Sequence, residues 1–219
     1  MKCLEDFVIP IKAGYSNGNG IVVGNLFITA GHVANKGESL QINISGDFYS
    51  LKKQDALLCL EEYSKEDGLF NDCAIYKLPK SYNNLSISYT APNVGSVLNS
   101  ISLKHIVKKQ ASSDVGVFST IYEEGYKPYH SQATVLDVVG NFIVCDMEVP
   151  LEEGRSGSPI FDGDKVVGIL HGGKDGKTCV FQLINSLPID VQQESNLQDL
   201  WRGRLRLCVD SEAHRGRQD

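Results

Sequence analysis

Nowhere do the 219 residues hold an apolar run approaching the roughly 20 residues that span a bilayer, so no membrane-crossing helix is expected. The opening Met1-Lys2-Cys3-Leu4-Glu5-Asp6-Phe7 has no long apolar core of the kind a secretory leader needs, and the expected setting is the cytoplasm. Concentrated basic charge is missing too. Lys and Arg number 21 against 27 Asp and Glu, a net charge of −6, and phosphate backbones call for clustered Lys and Arg; nucleic acid is not an expected partner. The six cysteines, at positions 3, 59, 73, 145, 179 and 208, form no Cys-x-x-Cys pair and no close Cys/His cluster. That removes the usual zinc patterns, and no metal is expected. Cys73 and Cys145 sit inside apolar strand-like runs, and without a leader reduced thiols are expected rather than disulfides. No internal repeat is visible.

What the chain does hold is a long series of short β-rich segments. Val, Ile, Phe, Tyr and Thr concentrate at 7–13, 20–23, 26–29, 39–45, 48–51 and 72–78, then at 97–103, 115–121, 130–138, 142–148, 159–162, 165–171 and 178–183. Turn signals such as Asn17-Gly18 and Asp162-Gly163 separate them. Many short strands of this kind indicate an all-β barrel or sandwich architecture. With 42% hydrophobic residues the chain can bury one large core or two small ones. Ser88-Tyr89-Thr90-Ala91-Pro92-Asn93-Val94-Gly95 is the expected crossover between two halves. Leu187, Ile189, Val191, Leu197, Leu200 and Trp201 offer apolar anchors for a short helix over 187–206, and the tail from Arg202 reads as solvated.

Three segments carry chemistry. Gly154-Arg155-Ser156-Gly157-Ser158-Pro159 places a serine in a glycine-flanked turn, which aims successive backbone N–H groups at one point beside the hydroxyl. Far upstream, the apolar run Asn25-Leu26-Phe27-Ile28-Thr29 ends in Ala30-Gly31, and His32 follows at once. In Asn71-Asp72-Cys73-Ala74-Ile75-Tyr76-Lys77-Leu78 an aspartate opens an alternating strand. Taken singly, each has a plain structural reading: a bland loop, a structural histidine, a turn cap. Together they answer one chemical need. A serine requires a base to become a nucleophile near neutral pH, and imidazole suits that role. The imidazole in turn requires a carboxylate to fix its tautomer. His32, Asp72 and Ser156 supply base, carboxylate and nucleophile, in that chain order.

At these residues the chain resembles the trypsin-like (chymotrypsin-fold) serine peptidases. Thr29-Ala30-Gly31-His32 is similar to the family's Thr-Ala-Ala-His, and Asp72-Cys73-Ala74-Ile75-Tyr76-Lys77-Leu78 to its Asp-x-Ala-aliphatic-x-x-Leu. Gly154-Arg155-Ser156-Gly157-Ser158-Pro159 is similar to Gly-Asp-Ser-Gly-Gly-Pro, and Val166-Val167-Gly168-Ile169-Leu170-His171-Gly172-Gly173 to the following strand, whose backbone pairs with substrate. The resemblance covers about residues 7–190. It implies two antiparallel β-barrels with the active site in the cleft between them, and a short C-terminal helix. Residues 1–90 would form the barrel carrying His32 and Asp72, 91–190 the barrel carrying Ser156 and the specificity pocket, and 191–219 the helix and tail. It also implies a serine endopeptidase that hydrolyses protein or peptide substrates through an acyl-enzyme. Ser156 would attack the carbonyl carbon, His32 would move the proton, Asp72 would orient His32, and the N–H groups of Gly154 and Ser156 would hold the oxyanion. No metal or organic cofactor enters this chemistry.

Departures from the pattern refine the expectation. Secreted digestive members carry an aspartate before the nucleophile, which pairs with a freshly cut N-terminus; here the position holds Arg155. That points toward bacterial (HtrA-like) or viral members rather than zymogens, with a host-cell cytoplasm as the setting if the chain is viral. Gly31 replaces the usual second alanine and is still small, so the substitution is expected to change little. By analogy the specificity pocket is walled by Pro150, Leu151, Leu170, His171, Gly172 and Gly173. Pro150 stands where Lys- and Arg-specific members carry aspartate, so an apolar or small side chain is expected before the scissile bond. His171 has two readings, contact with substrate or support of Asp72 from behind. Leu170, not His171, aligns with the position where many viral relatives place a recognition histidine, and a one-residue shift on a strand turns the side chain over. Two alternatives stand beside the peptidase reading: a viral polyprotein-processing protease of the same fold, and a catalytically inactive peptide-binding module. An α/β-hydrolase needs the chain order Ser, Asp, His, which this sequence does not have.

Overall fold

A computed structural model describes residues 3–14, 16–63, 70–114, 117–173 and 175–185. Its first sheet is built from β1 (Val8–Ala13), β2 (Ser16–Val23), β3 (Leu26–Thr29), β4 (Ser39–Ile44), β5 (Asp47–Lys52), β6 (Ala56–Tyr63) and β7 (Phe70–Lys77). One short helix, α1 (Gly31–Ala34), follows β3. The second sheet contains β8 (Ser86–Ile87), β9 (Val97–Asp114), β10 (Val117–Val139), β11 (Phe142–Met147), β12 (Pro159–Asp162), β13 (Lys165–Gly173) and β14 (Thr178–Leu183).

Alternation in the sequence becomes alternation in burial. Along β4 every second residue, Leu40, Ile42 and Ile44, is buried, so one face is solvated, whereas β3, between β2 and β7, is buried at all four positions and is therefore covered on both faces. Gly24, with φ +61°, supplies the left-handed position of the tight turn joining β2 to β3. The strand order β5-β4-β1-β2-β3-β7-β6 curls into a half-barrel around Ile11, Val22, Phe27, Leu40 and Tyr76. The second sheet runs β12-β9-β10-β11-β14-β13 and closes as a six-strand barrel when β13 pairs with β12. Leu98, Val135, Ile143, Met147, Ile160 and Phe181 fill it. Each such fully buried side chain contributes about 1.5–3 kcal/mol.

The all-β architecture is as expected, with four differences in detail. The Asn17-Gly18 pair lies inside β2 rather than in a turn, because glycine serves close approach there: a Cβ on Gly18 would sit 2.8 Å from Val33 and 3.1 Å from the Ser156 carbonyl oxygen. The strand β6 falls on Ala-Leu-Leu-Cys-Leu-Glu-Glu-Tyr, a composition with no β preference that pairing with β7 holds extended. The three separate strands expected at 97–103, 115–121 and 130–138 are two long ones, β9 and β10, paired from Thr134↔Val97 to Val117↔Asp114. The chain leaves the first sheet after β7 and enters the second at β8, so the passage spans residues 78–85, ahead of the expected crossover. Residues 3–185 fall in one unit, Met1–Ser186. The helix expected over 187–206 lies outside the described residues.

The five described cysteines are free thiols, three of them, Cys73, Cys145 and Cys179, buried. Burial pushes the Cys145 thiol up to about 12 and that of Cys179 to about 11, so both remain protonated and inert near neutral pH. Among the described residues no helix is long and apolar enough to cross a membrane.

Candidate active site

The end of β3 delivers the histidine. Thr29 closes the strand, Ala30 is extended, and the α1 turn begins at Gly31, where a Cβ would lie 1.9 Å from the Leu60 carbonyl oxygen. Glycine here is therefore a requirement set by the β6 backbone, not a neutral replacement for alanine. The close approach carries His32 onto Asp72 of β7. The His32 backbone N–H donates to Asp72 Oδ1 at 2.6 Å, and the ring Nδ1 lies 2.5 Å from Oδ2.

A second imidazole reaches the same oxygen. His171 Nδ1 lies 2.7 Å from Asp72 Oδ2, and the two rings meet edge to face at 6.1 Å. The backbone explains how. In the β13–β14 ladder Leu170 faces Phe181 and Gly172 faces Val180, which leaves His171 as the extra residue of a bulge and turns its side chain off the regular alternation. A carboxylate only accepts hydrogen bonds, so Asp72 assigns the Nδ1–H tautomer to both rings and leaves the His32 Nε2 lone pair free. Asp72 is fully buried; its own N–H donates to Oε1 of Gln182 at 2.8 Å, and Gln182 is fully buried as well. Burial pushes the Asp72 carboxyl up, but the hydrogen bonds from His171 and then His32 outweigh it and hold the group down at about 2.

These three side chains are also the described group best placed to hold a metal, with ligand atoms within 4.8 Å of one another. The distances argue for protons instead. Ring nitrogens at 2.5 and 2.7 Å from one oxygen are in hydrogen-bond contact, and a proton on each ring nitrogen satisfies both contacts.

The serine sits on a turn braced from both sheets. Gly154 and Gly157 take left-handed backbone, φ +82° and +80°, which frees the chain to double back around Ser156. The Ser156 carbonyl accepts the Asn19 N–H at 2.8 Å; Gly157 N–H donates to Leu170 O and Leu170 N–H to Ser158 O, both at 2.8 Å. Asn19, fully buried, donates through Nδ2 to the Gly154 and Leu103 carbonyls and accepts the Leu103 N–H, so one side chain ties the turn to β9. A Cβ on Gly157 would stand 2.1 Å from Asn19 O and 3.0 Å from the Ala30 nitrogen, so the turn lies directly against the chain that leads into His32. Among the described residues, the N–H groups of Gly154 and Ser156 are engaged in no hydrogen bond.

Beside the turn opens a cavity of about 360 Å³. Of the residues expected to wall it, Leu151, Leu170, Gly172 and Gly173 do so, together with Gly154 and Ser156. Pro150 and His171 are not among the lining residues; the His171 ring is committed to Asp72. Glu152, Glu153 and Asp175 add three carboxylates to the lining, and Gly176 and Cys179 complete it. Sequence reasoning missed Asn19, Gln182, Asp175, Gly176 and Cys179. A fully buried Gln182 has no local signal in Phe181-Gln182-Leu183, since only the position of Asp72 across the fold gives it work.

A half-barrel and a closed barrel, with a carboxylate–imidazole pair on one and a serine turn on the other, define the architecture of the chymotrypsin-fold peptidases. A model of the trypsin family matches residues 8–184, and the chain belongs to that family, the trypsin-like serine peptidases. It is 29% identical over 206 residues to a glutamyl endopeptidase of Staphylococcus epidermidis, covering 88% of this chain and 66% of the relative. The chain thus spans just under two thirds of that relative's length. Among solved structures it is similar to a human pathogenic astrovirus serine protease (18% identity, TM-score 0.54, 86% of this chain and 94% of the other). It is also similar to an inactivated protease paralogue of the scabies mite (11% identity, TM-score 0.58, 91% and 93%). Such distant likenesses establish the fold, and a fold that includes an inactivated paralogue does not by itself settle chemistry.

Proposed function

We propose that the chain is an active serine endopeptidase in which Ser156, His32 and Asp72 form the catalytic triad. The observation that carries this reading is the double hold of Asp72 on His32, through the backbone N–H and through Nδ1, with the glycine-flanked Ser156 turn packed against the same segment. In this mechanism Ser156 Oγ attacks the peptide carbonyl carbon while His32 Nε2 takes its proton. His32 then returns the proton to the leaving amine, and water, activated by the same nitrogen, hydrolyses the acyl-enzyme. Asp72 stays ionised throughout and stabilises the imidazolium. The unengaged N–H groups of Gly154 and Ser156 support the oxyanion-hole assignment, at about 3 kcal/mol of transition-state stabilisation per donor. His171 acts as a positioning residue: it shares the Asp72 carboxylate and limits its rotation.

The pocket supports an apolar or small residue before the scissile bond. Leu151 and Leu170 give it apolar walls, and the lining carboxylates Glu153 and Asp175 repel an acidic side chain. In this respect the chain departs from its relative, which is named for glutamyl specificity. The free thiols are compatible with a reducing, cytoplasmic setting.

Intact mass after exposure to a fluorophosphonate tests the activity. One adduct on the native chain and none on Ser156→Ala is the expected result; no adduct on either would bring the peptide-binding module forward. A panel of peptides differing only before the scissile bond tests the preference, with leucine or alanine expected to exceed glutamate in kcat/KM, and glutamate in first place overturning it.

A further inference from the structure

Arg155 is only 3% exposed, yet its Nε and Nη1 have no hydrogen-bond partner. Those two atoms carry three of the five guanidinium N–H donors. The group is stacked 4.5 Å above the ring of Tyr129, and its nearest carboxylate oxygen, Glu152 Oε2, stands 3.9 Å from Nη2, beyond hydrogen-bond range. A buried cation left this far from an anion is normally paired, so the unpaired state calls for an explanation.

The surroundings add cations rather than remove them. Lys104 and Lys127 face each other directly across the β9–β10 ladder, a like-charge pairing that destabilises a sheet, and their ammonium groups lie 6.0 and 5.6 Å from the centre of the same Tyr129 ring. Glu152 is hydrogen-bonded to Lys104 and is the one carboxylate in contact with this set among the described residues. Three cations around one tyrosine, balanced by a single rim carboxylate, stand out in a chain whose net charge is −6.

We propose that Arg155, Lys104, Lys127 and Tyr129 form a subsite for a carboxylate carried by an acidic peptide segment, with Glu152 occupying its edge until that segment arrives. The guanidinium, backed by the Tyr129 ring, holds unpartnered N–H donors in a planar fork that takes a carboxylate edge-on, and the two lysines supply the longer-range attraction. Glu152 is 57% exposed and is held there chiefly by Lys104, so it can give way to an incoming carboxylate that takes over its place beside Arg155. The site reports directly to the serine turn: the Arg155 carbonyl accepts both the N–H and the hydroxyl of Ser158, and Arg155 lies between Gly154 and Ser156. A carboxylate that fixes the guanidinium fixes the turn as well.

Binding, not turnover, tests the subsite, so its failure is distinguishable from failure of the peptidase reading. Fluorescently labelled acetyl-tetraglutamate amide is titrated against the full-length Ser156→Ala chain and followed by anisotropy, with the tetraglutamine analogue as control. The expected result is saturable binding of tetraglutamate alone, weakening from low salt to about 0.5 M salt and about tenfold weaker in Lys104→Gln/Lys127→Gln. Arg155→Lys, which keeps the charge and loses the planar fork, is expected to weaken binding as well. Equal binding of tetraglutamine, no saturation at low salt, or unchanged affinity in the double-lysine variant overturns the proposal. The lysine substitutions are at exposed or half-exposed positions, so a folded double variant gives a clean reading even where Arg155→Lys fails to fold. To locate the source of the carboxylate, glutamates are added one at a time to a cleavable peptide. A lower KM at one position, reversed by free tetraglutamate, assigns the subsite to substrate; saturable tetraglutamate binding with no effect on KM assigns it to a separate acidic segment.

Discussion

Asp72→Asn is the most demanding test of the site, because one atom exchange acts on two imidazoles at once. The Oδ1 atom must keep accepting the His32 backbone N–H, which places the new amide nitrogen where Oδ2 now stands, 2.5 Å from His32 Nδ1 and 2.7 Å from His171 Nδ1. An amide nitrogen only donates. Both rings must then present a bare Nδ1 and carry their proton on Nε2, the nitrogen His32 needs free to accept from serine. The geometry survives and the base does not. In comparable triads this exchange lowers the rate by about 10⁴, equivalent to about 5.4 kcal/mol of transition-state stabilisation at 1.36 kcal/mol per decade. The assay is kcat/KM on a fluorogenic peptide together with the rate of fluorophosphonate labelling, and both are expected to fall while peptide binding to the cleft is retained. A variant within tenfold of the native rate would refute the assignment of Asp72 and the tautomer argument with it.

The same carboxylate makes stability depend on pH. A group held at about 2 against about 3.9 unfolded contributes about 2.5 kcal/mol, fully present above pH 4 and lost as pH falls toward 2. Urea midpoints between pH 5 and pH 2 should therefore decline less in Asp72→Asn than in the native chain, and His171→Ala should shrink the decline, since the His171 hydrogen bond is one of those that lower the Asp72 pKa; identical slopes in all three would contradict this. Gly157→Ala combines a left-handed φ of +80° with a Cβ 2.1 Å from Asn19 O, and a loss of at least about 2 kcal/mol with no fluorophosphonate labelling is expected. A stable, labelled Gly157→Ala protein would show that the turn can relax. Asn19→Ala strands the Leu103 N–H and the Gly154 carbonyl in the interior and should cost about 1–3 kcal/mol in thermal or urea unfolding; a loss under about 0.5 kcal/mol would mean that water replaces the amide.

Much of this was legible in the sequence because it rests on local signals. Period-two alternation marks β4, the apolar run marks β3, and a glycine-flanked serine marks the turn, each within a few residues. The unread parts depend on contacts formed far along the chain. Nothing in Ala56–Tyr63 announces a strand until β7 offers its edge, and the polar stretch between Lys104 and Lys127 becomes two long strands only because each half pairs with the other. Asn19 and Gln182 belong to the same class: both are polar residues inside strands, and each is buried because its partner lies about 80 to 135 residues away. Arg155 reads locally as the loss of an aspartate; its stacking on Tyr129 comes from the long hairpin.

The trypsin family match and the distant structural likenesses leave chemistry open, so the physical case for a working site must come from where the chain tolerates unfavourable local choices. Left-handed backbone at Gly154 and Gly157, backbone contact too close for any side chain at Gly31, a fully buried ionised carboxylate, and two fully buried amide side chains are each harder to accommodate than an apolar alternative. Packing alone would place such features independently of one another. Here all of them touch the path from Asp72 through His32 to the Ser156 turn, and each satisfies a hydrogen bond or a close approach that this path needs. A peptide-binding module would need the cavity, but it has no use for an Nδ1–H tautomer enforced by a buried anion.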